Sequence, residues 1–87
     1  QVRENISKAE QGDAEAQSVL GLMYYFGEGV PKDHILSYKW LNLSAAQGNK
    51  NAAELRDVLA TEIKPSQIQE AQKLSREFKP KKEKPKK

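Results

Sequence analysis

Residues 13–48 read DAEAQSVLGLMYYFGEGVPKDHILSYKWLNLSAAQG, and this stretch decides the fold. Asp13 is a residue type that caps the N-terminus of a helix, and apolar residues follow it at helical spacing. The glycine loop, residues 27–31, then breaks this helix, because its glycines can adopt positive φ and its proline stiffens the exit. Asp33 caps a second helix, which we expect to run to about Gln47. The stretch therefore predicts a hairpin of two helices joined by the glycine loop.

Part of this hairpin is repeated further along the chain. The segment AEQGDAEA at residues 9–16 returns as AAQGNKNA at residues 45–52, a period of 36 residues. A period of this length is typical of one helix-turn-helix unit in a helical solenoid. Asn49 stands where Asp13 stands in the first copy, so we expect a third helix from Asn49 to about Ile63.

One further segment on each side completes the predicted architecture. Pro65 suits the first turn of a fourth helix, which we expect to reach about Phe78 and to act as the C-terminal cap. Val2, Ile6 and Ala9 are spaced four and three residues apart, which indicates the end of a preceding helix. These three residues alone would seal the N-terminal edge poorly. We therefore expect either that more repeats precede this edge in a longer parent chain or that the edge is open to a partner or to a second copy of the chain.

Several residues at fixed offsets resemble a known family. They are Ala16, Leu20-Gly21, Tyr24, Gly27-Glu28-Gly29-Val30, Asp33, Trp40 and Ala45 through Gly48. This combination resembles the Sel-one-like repeat, a branch of the tetratricopeptide superfamily. Residues 13–48 resemble one complete repeat, and residues 1–12 resemble the end of a preceding repeat helix. Residues 49–78 are similar to a degenerate second repeat, with a C-terminal capping helix and no glycine loop.

The resemblance implies an all-α fold, a right-handed superhelical solenoid of about two and a half repeats. It also implies a non-catalytic adaptor or scaffold that binds another protein or a peptide. Similar repeat proteins are often bacterial and often exported. The chain starts at Gln1 without methionine, which indicates a processed mature form or an excised piece. We therefore expect a periplasmic or secreted protein, with a cytoplasmic location as the alternative.

Three positions in the hairpin carry specific packing predictions. Trp40 is predicted to lie in the core between hairpins. Gly21 costs about 1 kcal/mol of helix propensity relative to alanine, so we expect a neighbouring backbone to pack against it. Ser37 stands where Sel-one-like repeats usually carry alanine, so we expect a looser contact there.

Apolar residues of the first full helix extend beyond its core side. Four apolar residues point about 60° to 180° away from Ala16: Val19, Leu22, Tyr25 and Phe26. Neighbouring helices of the array must cover some of these four. Any of them that stay exposed to solvent would form an apolar stripe in a solenoid groove. Such a stripe typically marks a partner-binding site. We expect Tyr25 to be the most exposed anchor residue. The alternative is that neighbouring helices bury all four. The candidate partner-binding residues are Glu15, Ser18, Val19, Leu22, Tyr25 and Phe26.

The net charge of +3 is unevenly distributed. Residues 79–87 hold six lysines and one glutamate, whereas residues 1–78 hold nine basic and eleven acidic residues. Proline and like-charge repulsion predict a disordered tail over residues 79–87. An alternative function is therefore a charge-driven binder whose tail contacts nucleic acid or an anionic surface. Nucleic acid is the less favoured partner, because no aromatic residue lies among the lysines to stack on bases.

Composition disfavours several other classes of protein. With no cysteine and a single histidine, the chain has neither a disulfide framework nor the ligands of a zinc site. No apolar run approaches the roughly 20 residues of a membrane span. His34 follows Asp33 directly, and adjacent residues on a helix do not face each other. The glycine loop follows a helix, whereas phosphate-binding loops follow a strand. We therefore expect no catalytic residues, no metal site and no cofactor.

Overall fold

The computed structural model describes residues 2–81, which form five helices joined by short turns. The helices are α1 (Val2–Glu10), α2 (Ala14–Phe26), α3 (His34–Ala46), α4 (Lys50–Ala60) and α5 (Pro65–Glu77). The described residues contain no strand, so the prediction of an all-α helical repeat solenoid is confirmed.

The boundaries of the central helices follow from local caps. The side chains of Asp13, Asp33 and Asn49 each accept a hydrogen bond from the backbone N–H three residues further on, at 2.9, 3.0 and 3.0 Å. Each bond satisfies one of the N–H groups that a helix start leaves without a partner. In the glycine loop, Gly27 and Gly29 adopt the left-handed conformation, with φ of 73° and 76°. α2 and α3 are therefore joined as the sequence predicts.

α4 ends earlier than the sequence predicts. The helix stops at Ala60, and the next residue, Thr61, donates both its amide (3.1 Å) and its hydroxyl (2.7 Å) to the carbonyl oxygen of Val58. A threonine side chain that bonds to nearby backbone competes with continuation of a helix. The predicted end at Ile63 is therefore wrong, and Ile63 packs against the core from the turn that follows.

The buried side chains form two clusters that share α3. One lies between α1, α2 and α3 and consists of Ala9, Ala16, Leu20 and Trp40. The other lies between α3, α4 and α5 and consists of Tyr38, Leu41, Ala52, Leu59 and Ala71. Trp40 is only 5% exposed, so its predicted place in the core is confirmed. Because α3 contributes to both clusters, it is the central helix that fixes its neighbours in place.

α2 and α3 are in close contact at Gly21. A Cβ atom added to Gly21 would lie 2.7 Å from Cγ of Leu41 and 3.3 Å from its backbone nitrogen, so the predicted close neighbour is confirmed. Ser37 is fully buried at the same contact, and its hydroxyl donates a 2.7 Å hydrogen bond to the carbonyl oxygen of Gly21. The looser contact predicted at Ser37 is wrong, because the hydroxyl ties the two helices together.

α1 covers the N-terminal edge more fully than predicted. The amide of Asn5 donates to the carbonyl oxygen of Ala16 (3.0 Å), and the buried Gln17 amide donates to that of Ala9 (3.1 Å). Of the described residues in α1, only Val2 is a large apolar side chain that stays exposed. The other exposed side chains of the helix are Arg3, Glu4, Ser7 and Lys8. The exposed face of α1 is therefore mostly polar, and binding of a partner or a second copy at the N-terminal edge stays a prediction.

The chain turns back onto the body after α5. The ring of Phe78 packs edge-on against Trp40, with centroids 5.5 Å apart and planes at 75°. Further on, the backbone N–H of Lys81 donates to the carbonyl oxygen of Glu10 (2.7 Å), and its ammonium lies 3.3 Å from the Glu10 carboxylate. We call residues 78–81 the C-terminal strap, because they join the last helix to the first.

The strap changes the predicted extent of the tail. The composition predicts disorder from residue 79 onward, but residues 79–81 belong to the strap, and Lys81 makes specific contacts with Glu10 there. That starting point is therefore wrong. The remainder of the predicted tail, residues 82–87, lies outside the described residues.

Candidate partner-binding groove

A groove of about 460 Å³ lies between α2 and α4. Residues on one face of each helix line it, since positions three or four apart lie above one another on a helix. The lining residues are Ser18 and Leu22 from α2, and Asn51, Glu54, Leu55 and Val58 from α4. Leu22, Leu55 and Val58 supply the apolar surface, and the other three supply a hydroxyl, an amide and a carboxylate.

The two walls of the groove are related by the internal repeat. Adding 36 to the number of an α2 residue gives the matching position on α4. Each α4 lining residue is the repeat equivalent of one of the candidate residues predicted on α2. The pairs are Glu15 with Asn51, Ser18 with Glu54, Val19 with Leu55, and Leu22 with Val58. The α4 wall was missed because the prediction considered α2 alone, although the repeat carried the signal.

Tyr25 does not have the exposed position predicted for it. Its ring is half-buried against the core cluster of α3 to α5 and stacks on His34, with centroids 5.2 Å apart and planes at 15°. Its hydroxyl donates a 2.9 Å hydrogen bond to Oε1 of Glu62, in the turn after α4. That hydrogen bond, together with desolvation and the carboxylate charge, raises the pKa of Tyr25 above its ordinary value of 10.0. Tyr25 thus joins the C-terminal ends of the two groove walls.

The remaining candidate residues of α2 border the groove. Phe26 is 58% exposed, and its ring meets Tyr25 edge-on with centroids 4.9 Å apart and planes at 89°. Val19 is 42% exposed, but it is not among the lining residues, and Glu15 is exposed one turn before Ser18. Two of the six candidates therefore line the groove, and the other four lie at its border or beside it.

The charge that lines the groove is acidic. Glu54 is the only charged lining residue, and no lysine or arginine is among the lining residues. The nearby Arg56 is held by other partners, since its Nη1 donates to the side chain of Asn42 on α3 (3.0 Å) and its Nη2 lies 3.1 Å from Asp57. The groove therefore presents negative charge beside its apolar surface.

The other candidate chemistry in the hairpin has structural partners. The carboxylate of Asp33 caps α3 by accepting the N–H of Leu36, and His34 stacks on Tyr25. Residues 2–81 contain no group of three or more histidine, cysteine or acidic side chains arranged to hold a metal ion. In the same range, none of the helices has the length and apolar character needed to span a membrane.

Stacked helical hairpins with a 36-residue repeat and a groove between successive units define a helical repeat protein. Residues 14–49, which comprise α2, the glycine loop and α3, match the family model of the Sel1 repeat. The resemblance to the Sel1 repeat is thus confirmed for residues 14–49. Sel1 repeats generally mediate protein–protein interaction and are typically non-catalytic. Comparison with curated proteins gave no match for this chain.

Proposed function

We propose that this protein is an adaptor module that holds a peptide or helix of another protein in the groove between α2 and α4. The observation that carries the proposal is the open apolar floor formed by Leu22, Leu55 and Val58, with Val58 55% exposed. Exposed apolar surface in a concave site typically marks a binding site, because burying it on association is favourable. The Sel1 repeat supports a protein as the occupant.

The size and chemistry of the groove suit apolar side chains of a bound peptide. Its volume of about 460 Å³ falls within the roughly 300–1,000 Å³ of ligand pockets, so it can receive apolar anchors of a peptide. Ser18, Asn51 and Glu54 provide polar groups around the floor. Apolar anchors with a polar rim are the usual pattern when a groove receives a peptide or an amphipathic helix.

The groove is a better candidate for the partner-binding site than the N-terminal edge, because the outer face of α1 at that edge is mostly polar. Val58 on the groove is more exposed than Val2 on α1, at 55% against 38%. The methyl groups of Val2 are also engaged, since one lies 2.6 Å from where a Cβ of Gly29 would stand. The groove therefore offers the larger gain from burying apolar surface.

Two matched valine substitutions test this proposal. Peptides are selected on the immobilised wild-type chain from a random phage-displayed library, and their affinities are measured by titration. Val58→Ser removes apolar floor and should weaken binding about tenfold, which corresponds to about 1.4 kcal/mol. Val2→Ser makes the same chemical change at an exposed helical valine of α1, away from the groove, and it should leave the affinity unchanged.

Equal effects of the two substitutions would show that the selected peptides bind elsewhere. Failure to select any peptide above background would contradict a peptide-binding groove altogether. Circular dichroism of both variants checks that the helices are retained. The alternative function through the basic tail stays a prediction from the sequence, since residues 82–87 lie outside the described residues.

A further inference from the structure

We infer that the partner segment of this groove is basic, with an apolar side chain on the floor and a lysine or arginine about one helical turn away. This inference rests on the proposed function and specifies the chemistry of the partner. The basic side chain is placed by an acidic aromatic corner at one end of the groove, formed by Phe26 and Glu62. The contacts of Tyr25 hold that corner together.

The one charged side chain that lines the groove is acidic. Glu15 lies exposed one turn before Ser18, Glu54 lines the middle, and Glu62 lies at the far end beside Tyr25. No lysine or arginine is among the lining residues to balance them. A concave surface with charge of one sign raises the local concentration of oppositely charged ligands and selects against like-charged ones. A partner with lysine or arginine is therefore favoured over an acidic one.

The corner supplies two features that bind a cation. The Phe26 ring is 58% exposed and perpendicular to the Tyr25 ring, so it has free surface for a charged group to stack on. The Tyr25 side chain that Phe26 meets also carries the hydroxyl that holds Oε1 of Glu62 at 2.9 Å. A carboxylate offers about four lone-pair positions, so a partner N–H can still bond to it. Arginine fits this corner best, because its planar guanidinium both stacks on rings and bonds to carboxylates.

The fold also sets the spacing of the two partner residues. Leu22 lies on the floor and Phe26 lies at the corner, four residues later on α2. With a rise of about 1.5 Å per residue, this separation is about 6 Å along the groove. A partner helix covers that length in four residues, and an extended strand covers it in two, at about 3.3 Å each. The expected pattern is an apolar residue followed or preceded by a basic one at either spacing.

The chain's own basic tail is a poorer occupant. Residues 82–87 are Lys-Glu-Lys-Pro-Lys-Lys, so they offer positive charge but no large apolar side chain for the floor. Binding of that tail by the groove of a second copy would leave Leu22, Leu55 and Val58 without a matching anchor. A foreign segment that combines both features is therefore the better match.

The selection described for the proposed function also tests the partner chemistry. Peptides selected on the full chain should be enriched in arginine or lysine at the stated spacing from an apolar residue. Glu62→Gln removes the charge and keeps an oxygen that can accept the Tyr25 hydroxyl, so it should weaken the selected peptides about tenfold and flatten their salt dependence. Glu70→Gln makes the same change at an exposed position of α5 and should have no effect.

The outcomes separate this inference from the proposed function. Peptides that depend on Val58 but show no basic enrichment, or that tolerate Glu62→Gln, would overturn the basic partner and leave the groove as a binding site. Peptides that do not depend on Val58 would overturn both. Concentration-dependent self-association of the chain that disappears when Lys82, Lys84, Lys86 and Lys87 are changed to glutamine would identify a second copy's tail as the occupant and overturn the inference.

Discussion

The hydroxyl of Ser37 donates a 2.7 Å hydrogen bond to the backbone carbonyl oxygen of Gly21, inside the contact between α2 and α3. Ser37 is fully buried, and the opposing Gly21 has no Cβ to keep α3 at a distance. A buried hydroxyl with a partner adds stability, whereas one without a partner carries a desolvation penalty. This contact between helices is therefore both close and polar.

Replacing Ser37 with alanine tests the contribution of the hydroxyl. We expect the free energy of unfolding to fall by about 1 kcal/mol, since a hydrogen bond is lost and little volume changes. Urea denaturation followed by circular dichroism measures the change. Ser66→Ala, at an exposed position of α5, is the control and should change stability by less than about 0.5 kcal/mol. An unchanged or higher stability of Ser37→Ala would show that the hydroxyl serves only to fill space.

Adding a methyl group at Gly21 should disturb the same contact from the other side. Gly21→Ala places a Cβ 2.7 Å from Cγ of Leu41, and the backbone nitrogen of that residue, at 3.3 Å, limits how far α3 can yield. We expect a loss of about 1–3 kcal/mol from overpacking, which outweighs a gain in helix propensity of about 1 kcal/mol.

A double substitution identifies the clash as the cause of that loss. Leu41→Ala removes the atoms that the new methyl group meets, so Gly21→Ala combined with Leu41→Ala should be less destabilising than the sum of the single effects. Thermal melting of the four chains gives the comparison. Simple additivity would contradict the proposed contact, and a stabilising Gly21→Ala would show that helix propensity dominates.

The C-terminal strap can be tested through the only tryptophan of the chain, Trp40. Phe78→Ala removes the ring that packs on Trp40, so we expect tryptophan emission to shift to the red and stability to fall by about 1–2 kcal/mol. The ammonium of Lys39, 4.4 Å above the Trp40 ring, should be left with one aromatic neighbour fewer. Unchanged emission would show that the strap does not cover Trp40 in solution.

Lys81→Ala is the matched control for that experiment. It removes the exposed ion pair with Glu10 but keeps the backbone N–H that bonds to the Glu10 carbonyl oxygen. Exposed ion pairs contribute about 0–1 kcal/mol, so we expect a smaller loss than for Phe78→Ala. A larger loss would show that the Lys81–Glu10 ion pair stabilises the strap more than the Phe78 ring does.

The Tyr25–Glu62 hydrogen bond predicts a dependence on alkaline pH. The pKa of Tyr25 is raised in the folded protein, so this group contributes stability that is fully present below pH 10.0, its ordinary pKa, and is lost as the pH rises through the folded value. Tyr25→Phe should therefore flatten the fall in unfolding free energy above about pH 10. The pKa of Tyr24 is also raised, mainly by burial, and Tyr24 still titrates in the Tyr25→Phe variant. Identical pH profiles for wild type and Tyr25→Phe would contradict the hydrogen bond.

Local signals in the sequence were sufficient to predict most of the helices. The helix starts were predictable because an N-cap side chain bonds to the backbone only three residues further on. The three caps are Asp13, Asp33 and Asn49. The end of α4 depended on whether the Thr61 hydroxyl would bond to backbone, and composition alone does not decide that. The close contact at Gly21 was predictable because an interior helix glycine needs a compensating neighbour.

The candidate site was harder to predict, because a groove needs two helices. Angles around α2 showed which residues leave the core side, but they did not show which of those α4 would face. Tyr25 was misplaced because its contacts, His34 and Glu62, lie nine and thirty-seven residues further along the chain. The strap was missed for a similar reason, since its lysines and proline indicated disorder while its contacts at Glu10 lie at the opposite end of the sequence.

The two walls of the groove occupy equivalent positions of successive units, 36 residues apart. The wall residues other than Leu55 can therefore mutate independently, because they are exposed or partly exposed and lie outside both core clusters, whereas Leu55 packs against the cluster of α3 to α5. A substitution on α4 would change the ligand contacts of one wall of the groove, while the α2 wall would keep its own contacts. Such an arrangement lets ligand choice diverge among duplicated units in small, combinable steps, with the scaffold left intact.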